Sequence, residues 1–351
     1  MGLIRRLIRR PIRMLGLGLL ALSGAALTGC ARALPQSPFD TAGRIARMQT
    51  DLLALSMWFA IGIGAFVTLA LLFIVFRFRA RSGEDARAVP KQIHGSTVLE
   101  IAWTIIPIVI LAIVGVPTVK TAFATKATLN PNDLQVKVIG HQWWWEFQYP
   151  QLGITTANEL YIPLGKDVQV TLESADVIHS FWVPKLAGKM DVIPGRTNHM
   201  MFNAEREEEY YGQCGEFCGT SHANMKFRVQ ALAPEKFDTW VADRKAGAKT
   251  PTDPVALAGM DLFMGAQKSK ANCITCHTID GTKAQAKVGP NLTNVGARSM
   301  IGAGLIENTD EHLKQWIRNP QSLKPGAKMA VHPNLSDQEL EAIVAYLRGL
   351  K

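Results

Sequence analysis

The sequence has no basic stripe interleaved with aromatic residues, although its formal net charge is +9 at pH 7. Arg5, Arg6, Arg9, Arg10 and Arg13 form one N-terminal block, and other basic residues flank two long apolar runs. That distribution is membrane-topology charge, and it excludes a nucleic-acid groove. Cysteine is scarce: five in 351 residues, at positions 30, 214, 218, 273 and 276. Each half of the soluble chain therefore has one pair, and neither half has a second pair to complete a four-cysteine zinc site. Charge is missing altogether from Leu52 to Phe76. A chain of this length accommodates two or three domains.

The uncharged run is long enough to cross a hydrocarbon core of ~30 Å as a helix. A second run, Val98–Val119, is interrupted only by Glu100 near its start. The loop between them has Arg77, Arg79, Arg81, Arg87 and Lys91, which places it in the cytoplasm by the positive-inside rule. Both ends of the hairpin then lie outside. The N-terminus agrees independently: a basic block, an apolar core and small residues occur in the order of an export signal. "LTGC" (Leu27–Cys30) resembles the lipobox of bacterial lipoproteins, which implies a signal peptide over 1–29, lipidation of Cys30, and an exported segment over 30–51.

Asn130-Pro131 breaks a linker over 120–133. The stretches "LQVKVIGHQWWWEFQY", "ELYIPLGKDVQVTLES" and "HSFWVP" follow, rich in β-branched and aromatic residues. Alternation in "DVQVTLES" predicts a half-buried strand, and several such stretches at short spacing predict a sandwich or barrel over 134–242. A second linker, 243–255, leads to a helix-rich domain over 256–351. Its last helix opens on Ser336-Asp337-Gln338-Glu339, a capping-box pattern.

In that domain Cys273-Ile274-Thr275-Cys276-His277 is a C-x-x-C-H attachment sequence for c-type haem. Two thiols at this spacing reach the two vinyl groups of one porphyrin, and the adjacent histidine falls beneath the iron. A redox dithiol leaves that histidine without a role. Candidates for the opposite ligand are Met300, Met329, His312 and His332. The domain resembles class I cytochromes c through "GPNLTNVG", "NPQSLKPGAKM" and the terminal helix. The resemblance implies an all-α fold, Met329 as second iron ligand, and the Pro290 carbonyl accepting from His277.

The stretch "CGEFCGTSHANM" (Cys214–Met225) joins two cysteines, His222 and Met225, with His179 upstream. Zinc, a mononuclear blue-copper site and a disulfide all remain open on ligand chemistry. Methionine favours copper over zinc. The extra thiolate favours two coppers bridged by both sulfurs, with Met225 a weak axial ligand.

The order of motifs over roughly 50–240 is similar to that of subunit II of the haem–copper cytochrome c oxidases: two membrane helices, then "GHQWWWEFQY", "DVIHSFWVPKLAGKMDVIPGR" and "YYGQCGEFCGTSHANM". The resemblance implies a multidomain protein: a transmembrane hairpin over 52–119, a cupredoxin-like all-β sandwich and the cytochrome c domain. It implies a dinuclear copper centre, CuA, held by His179, Cys214, Cys218, His222, Met225 and the backbone carbonyl of Glu216. It further implies magnesium on the Glu216 carboxylate at the boundary with subunit I, Trp143 as the surface tryptophan where electrons arrive, and Glu100 at a proton-path entrance. Implied partners are subunit I, subunit III, the lipid bilayer and an external donor such as cytochrome c or an upstream cytochrome complex. The implied location is the bacterial inner membrane, with two spans and both redox domains on the periplasmic face. Rival readings are an electron-donating subunit of a nitric oxide reductase and a tethered electron shuttle. A quinol oxidase subunit would not need the copper thiolates.

Overall fold

The computed structural model describes residues 34–79, 92, 94–128, 130–265 and 271–351. The export signal and Cys30 lie outside the described residues, as do Arg81, Arg87 and Lys91 of the hairpin loop. Helices α1 (Arg44–Arg77) and α2 (Thr97–Ala124) are both long and apolar enough to cross a membrane, and the apolar window of each is exposed on all sides. Such an all-round apolar helix needs lipid or partner helices around it. Helix α1 begins at Arg44, ahead of the uncharged run, because its first turn has its own seat on the β domain. Ala42, Ile45 and Ala46 are buried there, and the Ala46 amide donates to the Leu186 carbonyl at 3.1 Å. Helix α2 likewise continues to Ala124, into the stretch expected to be linker.

Ten strands follow: β1 (Leu134–His141), β2 (Trp144–Tyr149), β3 (Ile154–Ala157), β4 (Glu159–Pro163), β5 (Val168–Ser174), β6 (His179–Trp182), β7 (Met190–Val192), β8 (Asn198–Phe202), β9 (Glu209–Cys214) and β10 (Lys226–Leu232). They form two five-stranded sheets, ordered β3-β2-β1-β5-β8 and β4-β10-β9-β6-β7. Burial alternates along β1 and β2, whereas β5, which includes most of the alternating "DVQVTLES", is buried at each of its first three residues. Trp145, Phe147, Phe181, Phe202 and Phe227 fill the space between the sheets. Phe181 and Phe227 stack at 4.6 Å, with Trp145 edge-on to both. Helix α3 (Pro234–Ala246) closes one side by laying Trp240 on Tyr161 at 4.6 Å. The second linker is therefore shorter than expected.

The last domain packs α4 (Pro254–Phe263) against α7 (Asp337–Gly349), with α5 (Asp310–Arg318), the short α6 (Pro320–Leu323) and a two-residue hairpin, β11 (Met300–Ile301) and β12 (Ile306–Glu307), around them. Both halves of the Ser336–Glu339 capping box are formed. Gly259 lets α4 and α7 touch, since a Cβ there would lie 1.8 Å from the Ala342 carbonyl oxygen. This domain sits directly on the sandwich. The Lys226 amide donates to Ala303 at 3.0 Å, the Ser221 hydroxyl to Pro325 at 2.6 Å, and the Ser299 amide to the Glu159 carboxylate at 3.1 Å.

Candidate functional site

The end of β9, the loop after it and the start of β6 converge on one buried cluster. Cys214 and Cys218 hold their sulfurs 3.8 Å apart. His179 Nδ1 lies 3.9 Å from the first sulfur and His222 Nδ1 lies 3.6 Å from the second. Met225 Sδ is 3.8 Å from Cys218 Sγ, and the Glu216 carbonyl is 3.2 Å from Cys214 Sγ. All six candidates from the sequence are therefore brought together. His179, Cys214 and Cys218 meet the spacing of a metal-binding group.

The surroundings fix the donors. Gly140 admits the His179 ring, because a Cβ there would lie 2.8 Å from Cδ2. Trp145 packs edge-on to the ring at 5.9 Å, and Asp176 Oδ1 receives Nε2–H at 2.8 Å. Nδ1 is left facing sulfur, an outer-shell restraint of the kind that sets a ligating tautomer. Burial opposes charging His179, but its bonds to Cys214 and Asp176 outweigh burial and hold its pKa above the ordinary value. The hydrogen bond from Cys218 lowers the Cys214 pKa strongly, and that same bond together with burial raises Cys218. The protein alone thus stabilises one negative charge on the pair. Two thiolates at this separation require cationic charge between them, as a softly ligated metal centre supplies. The donor set fits copper, with three sulfurs and two imidazoles.

The second site is a cavity of about 390 Å³ in the helical domain, with Cys273, Cys276, His277 and Met329 on its walls. His277 Nδ1 donates to the Pro290 carbonyl at 2.8 Å, leaving Nε2 free to ligate. Gly289 lets the backbone pass the ring, since a Cβ would lie 2.7 Å from Cε1. Burial holds His277 below its ordinary pKa and so in the neutral, ligating form. Leu313, Trp316, Ile317 and Leu347 supply apolar walls. An apolar cavity with two thiols and one oriented imidazole fits a covalently attached haem. Met300 and His332 also line it, whereas His312 instead caps the Glu307 carbonyl at 2.9 Å.

His141, Trp143 and Trp144 of the sandwich line this same cavity. Trp143, expected at a surface, is only 9% exposed because the helical domain covers it. Its indole Nε1 donates to the Cys218 carbonyl at 3.0 Å, as Gln142 Nε2 does at 2.8 Å. Gly326 lies against the other side of the ring, where a Cβ would come within 2.8 Å. One tryptophan thus spans the thiol loop and the helical domain.

Glu100 is not part of either site. It is exposed in the first turn of α2, at the hairpin end remote from the sandwich. The Glu216 side chain is also exposed, 3.8 Å from Lys189 Nζ. Sequence reasoning missed Lys324, which is buried between the two domains. It lies within the stretch quoted for Met329, and nothing local distinguishes it from the exposed Lys328.

Three family descriptions match the chain: "Cytochrome C oxidase subunit II, transmembrane domain" over residues 37–121, "Cytochrome C oxidase subunit II, periplasmic domain" over 152–232, and "Cytochrome c" over 263–351. Cytochrome c oxidase subunit 2 of Alkalihalophilus pseudofirmus is 42% identical over 331 residues, covering 93% of this chain and 94% of that protein. Cytochrome c oxidase subunit 2 of Bacillus sp. strain PS3 is 39% identical over 344 residues, covering 93% and 94%. The crystal structure of the periplasmic domain of subunit II of cytochrome oxidase of Bradyrhizobium japonicum is 32% identical, covering 34% of this chain and 98% of that one, with a TM-score of 0.33. With a copper-type thiol loop on a cupredoxin-like sandwich and an attached helical haem domain, the chain belongs to the cytochrome c oxidase subunit II family, and it has a cytochrome c domain fused at its C-terminus.

Proposed function

We propose that this subunit takes electrons from an external donor, passes them through a haem c and a dinuclear copper centre, and delivers them to subunit I for reduction of oxygen to water coupled to proton translocation. The observation that carries this reading is Trp143, bonded to the Cys218 carbonyl on one side and packed against Gly326 of the cytochrome domain on the other. Cys273 and Cys276 would attach the haem, His277 and Met329 would ligate its iron, and Pro290 would orient His277. His179, Cys214, Cys218, His222, Met225 and the Glu216 carbonyl would hold the two coppers. When bound, both groups supply one-electron chemistry with little geometric change.

The chain's own part is to fix donors and exclude water. Burial of Cys214, Cys218 and His277 removes solvent that would otherwise reorganise with each electron. Fusion replaces a diffusive encounter by a high effective concentration of donor at the copper loop. The same reading assigns the Glu216 carboxylate, exposed beside Lys189, to magnesium at the boundary with subunit I. It assigns Glu100 to a proton-path entrance, since a carboxylate on an apolar helix is costly unless used. It also takes both apolar helices as membrane spans of a multi-pass subunit beside subunit III, in a bacterial inner membrane. Residues 1–29 then serve as signal peptide, Cys30 as lipid anchor, and the two redox domains lie on the periplasmic side. The external donor is taken to be a cytochrome c or a cytochrome complex.

Metal analysis of the oxidase complex purified from native membrane tests the centre. Two coppers in this subunit and a near-infrared band are expected; one copper, or zinc, overturns the assignment.

A further inference from the structure

Neither proposed redox group uses Lys324. It follows α6 in the cytochrome domain, is 3% exposed, and points its ammonium out of that domain's own core. Its Nζ donates to the carbonyls of Trp143 at 2.7 Å, Asn224 at 2.8 Å and Gly302 at 2.8 Å. An ammonium has three donors, and here all three are used. The acceptors come from three separate segments. Trp143 lies in the β1–β2 turn, Asn224 lies between His222 and Met225, and Gly302 lies in the turn between β11 and β12.

A buried charge is costly unless every donor is bonded, and burial pulls this ammonium down to about 7. Simple packing between two domains would be served as well by an apolar side chain, with no such cost. What an ammonium adds is direction. Its bonds are satisfied only when the β1–β2 turn, the thiol loop and the cytochrome domain hold one mutual arrangement. Ser221 to Pro325 and Gly326 against Trp143 lie beside it, so one short segment, 324–326, makes the fastening.

We propose that Lys324 is a positioning residue that fastens the cytochrome domain to the copper-ligand loop and so fixes the separation across which electrons pass. The proposal rests on the electron route given above. Because tunnelling falls steeply with distance, a fastened pair transfers at one fast rate, whereas a loosened pair waits for productive encounters. Removing the ammonium leaves three carbonyls without their donor in a buried interface, which favours separation of the domains.

The test uses the complete oxidase complex with Lys324→Met, and with Lys324→Gln in its place if the first variant does not assemble. Haem c is photoreduced rapidly, and its reoxidation by the copper centre is followed in time. Hydrogen exchange is measured in parallel at residues 141–145 and 219–226. We expect at least a tenfold slower transfer and faster exchange in both segments, with the spectra of both centres unchanged. Transfer within twofold of the parent, or a loss of thermal stability without slower transfer, overturns the proposal. If the parent complex itself shows no transfer between the centres, the electron route fails instead, and unchanged exchange in the variant then overturns the fastening separately.

Discussion

The sandwich and the cytochrome domain bury apolar surface in opposite ways. In the sandwich, aromatic rings from both sheets meet directly: Trp145, Phe147, Phe181, Phe202 and Phe227 are fully buried against one another. Three of its metal donors, Cys214, Cys218 and Met225, continue that same core at its end. In the cytochrome domain, Phe263, Ile343 and Tyr346 join α4 to α7 on one side, while the other side opens on the cavity of about 390 Å³. That volume is in the range of a ligand site rather than a packing defect. The sandwich is therefore a scaffold that presents a centre, and the cytochrome domain is a shell built around one.

The contrast breaks most sharply if covalent attachment is removed. Cys273→Ser with Cys276→Ser should cost the cytochrome domain its fixed fold, with amide protection over 271–351 falling by orders of magnitude. The sandwich should keep its protection and its copper. Hydrogen exchange on the full chain reads both domains at once. Unchanged protection in the cytochrome domain would show that its shell, too, stands alone.

A smaller effect is expected from closing the tightest contact in each domain. In Gly259→Ala the new methyl meets the Ala342 backbone, which cannot move without separating α4 from α7. Overpacking of this kind costs about 3 kcal/mol. In Gly212→Ala the methyl meets the Phe227 ring at 2.2 Å, and that ring is held by Phe181 and Trp145. A side chain yields more readily than two helix backbones, so the loss should be nearer 2 kcal/mol. Denaturant unfolding followed separately in the two domains checks the order. A larger loss at Gly212 would mean that the aromatic core is the more rigid of the two.

What was legible in the sequence divides along the same line. Both ligand sets are local patterns: C-x-x-C-H, and a loop whose cysteines, histidine and methionine lie within one stretch. Strand alternation and the Ser336 capping box are local as well. The contact between the domains is not. Lys324 and Gly326 lie together but far along the chain from Asn224 and Trp143, so no periodicity marks their contact. The family resemblance puts Trp143 at a surface, and nothing local in the sequence shows the domain that covers it. Helix α1 likewise starts at Arg44 rather than at the apolar run, because its first turn is stabilised by sandwich carbonyls that lie more than a hundred positions away.

Charge joins the sandwich to its other neighbour more loosely than Lys324 joins it to the cytochrome domain. Asp40, ahead of α1, accepts from Lys185 at 2.6 Å and from Arg206 at 3.0 Å at a partly exposed site. The hydrogen bond from Lys185, then that from Arg206, holds its carboxyl below the ordinary carboxylate range. A depressed carboxylate adds stability above its unfolded pKa of about 3.9, and that contribution is lost as pH falls through the lower folded value. Solvent screens the network, so Asp40→Asn should weaken the seat of α1 by only about 0.5 kcal/mol at pH 7. The difference from the parent should shrink with added salt and vanish in acid, once Asp40 is protonated in both states. Exchange of the Ala42 and Ala46 amides, which bond to the Lys185 and Leu186 carbonyls, measures it. A difference that persists unchanged in acid would mean that Asp40 acts by shape rather than by charge, and the two junctions would then differ less than their burial implies.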